Sequence, residues 1–203
     1  MPQSKQRTLG ALLLLGLSLP AFRELLQAQM HVHMLVQLPA LALAGALLAG
    51  PHARVPAHRQ RVWNAQGITG LCVAFVVLTL SMVPRLLDMA VTDPLWNTAK
   101  FIAFLVCGFA LRRSWRQAGW VLQGFFLGNL LPMMAVVGVI YQESPLRVCN
   151  AYGLGDQQTT GFWMVLCACA VAGVWLWRVM ADQLASEAQA DRFIVSAGAI
   201  SRD

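Results

Sequence analysis

The sequence contains few charged residues, and this scarcity limits the classes of protein it can belong to. Charged side chains make up 12% of its 203 residues and hydrophobic side chains make up 58%. Soluble domains contain about 25% charged and about 45–50% apolar residues. The composition therefore excludes a disordered chain, a collagen-like chain and an ordinary cytosolic enzyme, and it indicates a polytopic membrane protein.

The sequence also lacks the motifs that identify common enzymes. It contains no nucleophile–base pair, Walker loop, zinc-protease motif or dinucleotide fingerprint. The glycines Gly153 and Gly155 lack the strand–turn–helix setting that a dinucleotide fingerprint requires. We therefore expect a protein that is not an enzyme.

What the sequence does contain is a series of continuous apolar runs of helical length. A bilayer core about 30 Å thick needs about 20 apolar residues per helix, and the runs do not alternate as β-barrel strands do. They predict an all-α, polytopic transmembrane bundle of about six helices in residues 1–180, followed by a cytoplasmic tail at 181–203. The predicted spans are residues 9–22, 30–50, 66–84, 95–111, 117–141 and 159–180. Because basic residues precede the short first run, residues 1–28 are either a retained helix or a cleaved signal peptide.

The distribution of Lys and Arg over alternate loops predicts the orientation. One side holds Lys5, Arg7, Arg54, Arg59, Arg61, Arg112, Arg113, Arg116, Arg178, Arg192 and Arg202, whereas the other holds Arg23, Arg85 and Arg147. Since basic loops stay in the cytoplasm, both termini are predicted to be cytoplasmic, in a bacterial inner membrane. The net charge of +6 is therefore a topology signal. We expect a lipid bilayer around the chain and no nucleic-acid partner.

An unusual group of side chains lies at the predicted outer end of the second span. Its members are Met30, His31, His33, Met34 and Gln37. On an α-helix they fall within an arc of roughly 160°. Thioether and imidazole ligands together favour copper, and thioethers select Cu(I). Core packing and hydrogen bonding are the alternative roles, and haem is less expected because the other histidines, His52 and His58, lie in the opposite loop.

The loop before the sixth span is a second candidate region. Cys149 is the only cysteine predicted outside the bilayer, so it has no evident disulfide partner and is flagged as a lone exposed thiol. It is a possible Cu(I) ligand, an intermolecular linker or a buried packing residue. Asp156 either caps the following helix or, with Gln157, supplies ligands or hydrogen bonds to the histidines.

Lys100 is the basic residue predicted to lie inside a span. Because a buried ammonium is costly, we expect it to extend towards the interface or to form a structural ion pair with Asp93 or Asp88. Asp156 is a third possible partner. Asp93 is also the predicted cap of a helix that starts at Pro94.

Two segments resemble the CtaG family of caa-type cytochrome c oxidase assembly factors. One is His31-Val-His33-Met34-Leu-Val-Gln37-Leu-Pro39, and the other is Asp156-Gln157-Gln158-Thr-Thr-Gly161-Phe-Trp-Met164. The resemblance covers about 40 residues, and the chain departs from the family in its predicted six helices, where seven are usual. It implies a role in delivering copper to a haem-copper oxidase, or in assembling one, on the outer face.

The leading hypothesis is therefore a copper-handling membrane assembly factor whose partner is a haem-copper oxidase subunit or another membrane complex. Its predicted ligands are Met30, His31, His33 and Met34, with Cys149 as a further candidate. Three alternatives stay open: a small transporter or permease, a haem or quinone redox protein, and an accessory subunit without a site of its own.

Overall fold

The computed structural model describes the backbone of residues 3–50 and 64–200, and the side chains of these residues up to 186, apart from Ala65. Several residues used in the sequence predictions lie outside the described residues: His52, Arg54, His58, Arg59, Arg61 and Arg202. The described part of the chain is an all-α bundle without a β-strand. This architecture confirms the predicted fold class.

The described residues form the following helical elements. They are α1 (Gln3–Ser18), α2 (Pro20–Gln27), α3 (Met30–Val32), a π-helical segment (His33–Gln37), α4 (Leu38–Leu48), a 3₁₀ turn (Ala65–Gly67), α5 (Ile68–Ser81), α6 (Pro84–Thr92), α7 (Pro94–Ser114), α8 (Gly119–Glu143) and α9 (Leu154–Ile200). The three pieces from Met30 to Leu48 form one continuous helical span. Helix α9 begins before the predicted sixth span and continues through most of the predicted tail.

Proline determines where the helices break. Pro20, Pro84 and Pro94 each occupy the first turn of a helix, and the residue before each proline is extended. This geometry follows from the steric clash that excludes the α conformation before proline. As a result α1 and α2 meet at 73°, and α5 and α6 meet at 80°. The predicted first span, residues 9–22, is therefore interrupted at Pro20.

Several helices are long and apolar enough to cross a bilayer. Within the described residues there are four such helices, and the number rises to six if each bent pair, α1–α2 and α5–α6, counts as one crossing. The surface supports this, because many of its large side chains are hydrophobic and exposed, including Leu15, Phe125 and Trp177. A multi-pass membrane protein is the class that this architecture defines.

Glycines bring the backbones of two helix pairs into contact. A Cβ at Gly45 of α4 would collide with the Leu105 carbonyl of α7, and a Cβ at Gly108 would collide with the Ala42 carbonyl. Helices α8 and α9 cross in the same way at Gly138 and Gly161. Small residues at crossings are typical of helices that pack in membranes, where close backbone approach supplies the attraction.

The three loops predicted to share the outer side meet at one end of the bundle, which we call the His33 end. Tyr152 from the loop before α9 bonds to His33 and to the Gln27 carbonyl. The Tyr141 hydroxyl donates to the Met82 carbonyl at 3.3 Å. These contacts bring the chain segments around residues 27–33, 82 and 141–152 together, although they are far apart in sequence.

Candidate functional site

A turn of π-helix lies at the His33 end and carries both polar and thioether side chains. The amide of Leu38 donates to the His33 carbonyl, five residues back, rather than to the carbonyl four residues back. Pro39 follows directly, and because it lacks an N–H it removes the regular bond to the Leu35 carbonyl. Single π turns of this kind are frequent at functional sites. In this segment His33 and Gln37 form polar contacts, whereas Met30 and Met34 pack in a hydrophobic cluster.

The polar side chains at this end form a continuous series of hydrogen bonds through His33, from Lys100 to Gln27, which we call the polar chain. The Lys100 Nζ lies 3.1 Å from the His33 Nε2, and the His33 Nδ1 lies 2.8 Å from the Tyr152 hydroxyl oxygen. The Tyr152 hydroxyl in turn donates to the Gln27 carbonyl at 3.0 Å. His33 is fully buried and Tyr152 nearly so, which makes every bond in this chain important for stability.

The donor count assigns the tautomer of His33. A tyrosine hydroxyl has one proton, and Tyr152 gives it to Gln27, so the His33 Nδ1–H must donate to Tyr152. Lys100 is an obligate donor, so the His33 Nε2 must accept. The imidazole is therefore neutral and carries its proton on Nδ1. This arrangement occupies the lone pair of Nε2 that a metal ion or haem iron would need.

Three amide side chains lie beside this hydrogen-bonded chain. The Gln27 Nε2 donates to the Gln37 Oε1 at 3.5 Å and to the Asn97 Oδ1 at 3.4 Å. Gln37 is fully buried, yet its Nε2 has no hydrogen-bond partner. Gln37 thus belongs to the group of polar side chains around His33.

The methionines at this end belong to a buried cluster that is unusually rich in sulfur. Its members include Met30, Met34, Met82, Met134, Cys149 and Met164, together with Tyr141 and Tyr152. The chain has nine methionines, so more than half of them gather at this position. We call these six sulfur-bearing residues the sulfur cluster. They come from α3, the π-helical segment, the α5–α6 corner, α8, the following loop and α9.

His31 differs from His33 in having an unused nitrogen. It lies in the short helix α3 directly after Met30, and its Nδ1 is buried without a hydrogen-bond partner. A buried imidazole nitrogen without a partner is unusual in a protein interior. Of the two predicted histidine ligands, His31 is the one whose ring has a nitrogen available.

Lys100 does not form the predicted ion pair. The Asp93 carboxylate accepts from the Leu95 amide at 2.7 Å, so it caps α7 as its sequence position suggested. The Asp88 carboxylate accepts from the amides of Asn150 and Ala151 at 2.8 and 3.0 Å. Lys100 instead bonds to the His33 Nε2, while a first-turn amide of α7 bonds to Asp93 and loop amides bond to Asp88.

Gln157 organises the loop that carries Cys149 and Tyr152. Its buried side chain accepts from the Val148 amide at 2.8 Å and donates to the carbonyls of Tyr141 and Leu146. Together with Asp88, it fixes both halves of the loop between α8 and α9. Its hydrogen bonds all go to backbone atoms, so the predicted bond to a histidine does not form.

Asp156 lies in the first turn of α9 and is partly exposed. A carboxylate at this position is favourable because the N-terminus of a helix carries a partial positive charge. The position fits the capping alternative better than a role beside the histidines. This carboxylate and the Gln157 amide thus support the helix start and the preceding loop.

Cys149 is buried, which differs from the expected exposed thiol. Its side chain is 1% exposed, and its Sγ donates to the Pro84 carbonyl at 3.8 Å. Burial, with a contribution from Asp88, raises the pKa of the Cys149 thiol to about 12. Burial also raises the pKa of the Tyr152 hydroxyl, with smaller contributions from Cys149 and Asp156. Both groups are therefore protonated at neutral pH.

The donor set at the His33 end limits which metal ion it can hold. Within the described residues, no group of three or more His, Cys, Asp or Glu side chains is arranged to bind a metal ion. Hard cations and structural zinc rely on such groups. The available donors are instead thioethers, one thiol and the His31 imidazole, a set that suits Cu(I).

Comparisons with known proteins assign no family. No protein-family model, no curated protein and no solved structure matches this chain. The fold and the site therefore define a multi-pass helical membrane protein with a buried polar chain and a sulfur cluster at one end.

Proposed function

We propose that this chain is a copper-handling assembly factor in the membrane, and that its sulfur cluster binds Cu(I). The observation that carries the proposal is the collection of three buried thioethers and one buried thiol in a single cluster at the His33 end, with the partly buried Met82 and Met134 packed against it. Met30, Met34 and Met164 would supply the core of the donor set. Copper bound there would be available for transfer to a client protein, without a reaction catalysed by this chain.

The chemistry of the donors supports a monovalent, soft ion. Thioether ligands are neutral and select Cu(I), so a site made only of methionines leaves the positive charge of the ion uncompensated. The Cys149 thiol can compensate it by losing its proton to solvent when the Cu–S bond forms, because metal ligation favours the thiolate. Copper binding should therefore release one proton for each ion that Cys149 ligates.

The hydrogen-bond pattern separates the two histidines. The His33 Nε2 accepts from Lys100 and its Nδ1 donates to Tyr152, so both ring nitrogens are in use. His31 has a buried nitrogen without a partner and is the imidazole we include in the copper site. The same pattern argues against haem, since iron ligation by His33 would require loss of the Lys100 bond.

The proposed client is a haem-copper oxidase on the outer face, and this step depends on the resemblance to the CtaG family. The two segments that carry the resemblance pack against each other, because Met34 from one belongs to the same buried cluster as Met164 from the other. Contact between two segments so far apart in sequence is expected if they form one site.

Metal analysis after anaerobic Cu(I) loading of the detergent-purified chain tests the copper site. We expect about one copper per chain for the wild type and a loss of most of it in a Met30→Leu/Met34→Leu variant. Leucine keeps the volume of methionine with little loss of packing, at a cost usually below about 1.5 kcal/mol, but removes the thioether. Met133→Leu is the matched control, because Met133 belongs to a different packing cluster.

The histidine variants sharpen the same experiment. His31→Ala should lower copper retention, whereas His33→Gln should leave it near the wild-type value. Equal copper content in the wild type and the double methionine variant would refute the proposed site. The client is tested separately, by measuring the copper content of the terminal oxidase in cells that lack the chain.

A further inference from the structure

A cavity of about 180 Å³ lies beside the polar chain, between α4, α5, α6 and α7. It exists because α5 and α6 meet at 80°, which leaves a wedge between this corner and α7. Its walls are almost entirely apolar and include Val77, Leu86, Ala103 and Phe104. An ordered water needs only about 10–15 Å³ of such space, so the cavity can hold part of a larger molecule.

Lys100 is the charged group on the cavity wall. The other lining residues with a polar side-chain atom are Trp96 and Ser81, and the Ser81 hydroxyl donates to the Leu78 carbonyl at 2.7 Å. The Lys100 ammonium gives one proton to His33 and faces the Phe101 ring at 5.6 Å. An ammonium has three donor protons, so the bond to His33 leaves further donors, and the nearby carboxylates Asp88 and Asp93 accept from loop and helix amides.

The mouth of the cavity faces the apolar surface of the bundle. Leu80 and Trp96 both line the cavity and are 49% and 39% exposed. In a protein that crosses a membrane, this surface contacts lipid chains, so a ligand reaches the cavity from within the bilayer. The ligand must then have an apolar chain for the mouth and an anionic oxygen for Lys100.

We propose that the cavity binds the carboxylate end of a single-chain fatty acid, with Lys100 as the group that recognises the carboxylate. An unpaired charge inside a membrane protein is costly, and an anionic partner with good geometry offsets that cost. The volume suits a carboxylate with its first methylenes. The rest of the hydrocarbon chain of the fatty acid would lie along the protein surface between Leu80 and Trp96. This site is separate from the sulfur cluster and does not depend on copper binding.

Equilibrium binding of radiolabelled palmitate to the purified, delipidated full chain tests the proposal. We expect one palmitate per wild-type chain, and an affinity lower by about tenfold or more in Lys100→Met, because a charge-assisted hydrogen bond is lost. Ala103→Leu keeps the lysine but fills the cavity, and it should weaken binding to a similar extent. Ala185→Leu, on an exposed part of α9, is the control and should bind as the wild type does.

Competition distinguishes a carboxylate from other amphiphiles. Unlabelled palmitate should displace the label, whereas hexadecanol, a diacyl phospholipid and a quinone should displace it at least tenfold less effectively. Equal competition by hexadecanol would overturn the proposal, because it would mean that charge is not recognised. Unchanged palmitate binding in both Lys100→Met and Ala103→Leu, with their helical content intact, would also overturn it.

Discussion

The two tyrosines of the chain provide a direct test of the polar chain through His33. The sequence contains only Tyr141 and Tyr152, and both are almost fully buried. The Tyr152 hydroxyl bonds to the His33 Nδ1 and to the Gln27 carbonyl. The Tyr141 hydroxyl makes a single longer bond, to the Met82 carbonyl at 3.3 Å. Replacing each tyrosine by phenylalanine removes one oxygen and keeps the ring.

The expected losses of stability differ because the numbers of orphaned partners differ. A buried group that loses its partner costs about 1–3 kcal/mol. Tyr152→Phe leaves the Nδ1–H of His33 and the Gln27 carbonyl unpaired, so we expect it to lower the free energy of unfolding by about 2–4 kcal/mol. Tyr141→Phe breaks only one long bond, so we expect a loss of about 1 kcal/mol or less.

Two measurements check this prediction on the protein in detergent. Unfolding by a denaturing detergent, followed by tryptophan fluorescence, gives the stabilities. Nitrogen NMR of histidine-labelled protein reports the tautomer, and the wild-type His33 should carry its proton on Nδ1. That signal should change in Tyr152→Phe and in Lys100→Met, and remain in Tyr141→Phe. Equal stability losses for the two tyrosine variants, or a proton on the His33 Nε2 in the wild type, would refute the assigned bond directions.

Two further predictions concern packing and the loop. Gly45→Ala should lower the thermal unfolding temperature clearly, because its methyl group collides with the Leu105 carbonyl, whereas Gly16→Ala, with no atom within 4 Å of the new methyl, should not. At pH 8, maleimide should label Cys149 very slowly, and the rate should rise about tenfold per pH unit until the pH approaches the thiol pKa of about 12. Gln157→Leu should raise that rate at pH 8 at least tenfold by freeing the loop. Fast labelling of the wild type at pH 8 would contradict the buried thiol.

Hydropathy and proline together predict most of the fold. The apolar runs locate some helices to within a few residues, as the predicted span at 95–111 and the helix Pro94–Ser114 illustrate, but α9 continues to Ile200, well beyond the predicted end at residue 180. The 73° and 80° corners are not contained in hydropathy, but they occur at Pro20 and Pro84, where the rule for residues before proline predicts a break. The sequence therefore carries the signal for these corners, although a count of apolar residues alone does not use it.

The site was predicted less well, and the reason is local backbone geometry. On a regular α-helix Met30, His33, Met34 and Gln37 are predicted to fall within one arc, whereas the segment His33–Gln37 is a π turn, in which each residue rotates less about the helix axis. The presence of Pro39 two residues after this turn is the signal that an irregular helix was possible. The sequence does not predict the hydrogen-bond partner of Lys100, because that partner depends on which buried acceptor the folded chain places within reach of the Lys100 side chain.

The different contacts of His33 and of the methionines have a chemical consequence for the proposed function. A hydrogen-bonded histidine beside an ammonium is a poor ligand for a cation. The metal ion would have to break the hydrogen bond from Lys100, and it would then be repelled by the positive charge of Lys100. The thioethers of the sulfur cluster are not subject to either cost. If copper binds at the His33 end, its ligands should therefore come from the sulfur cluster and His31. His33 then serves to hold Tyr152 and, with it, the loop that positions Cys149, which makes it a positioning residue and not a ligand.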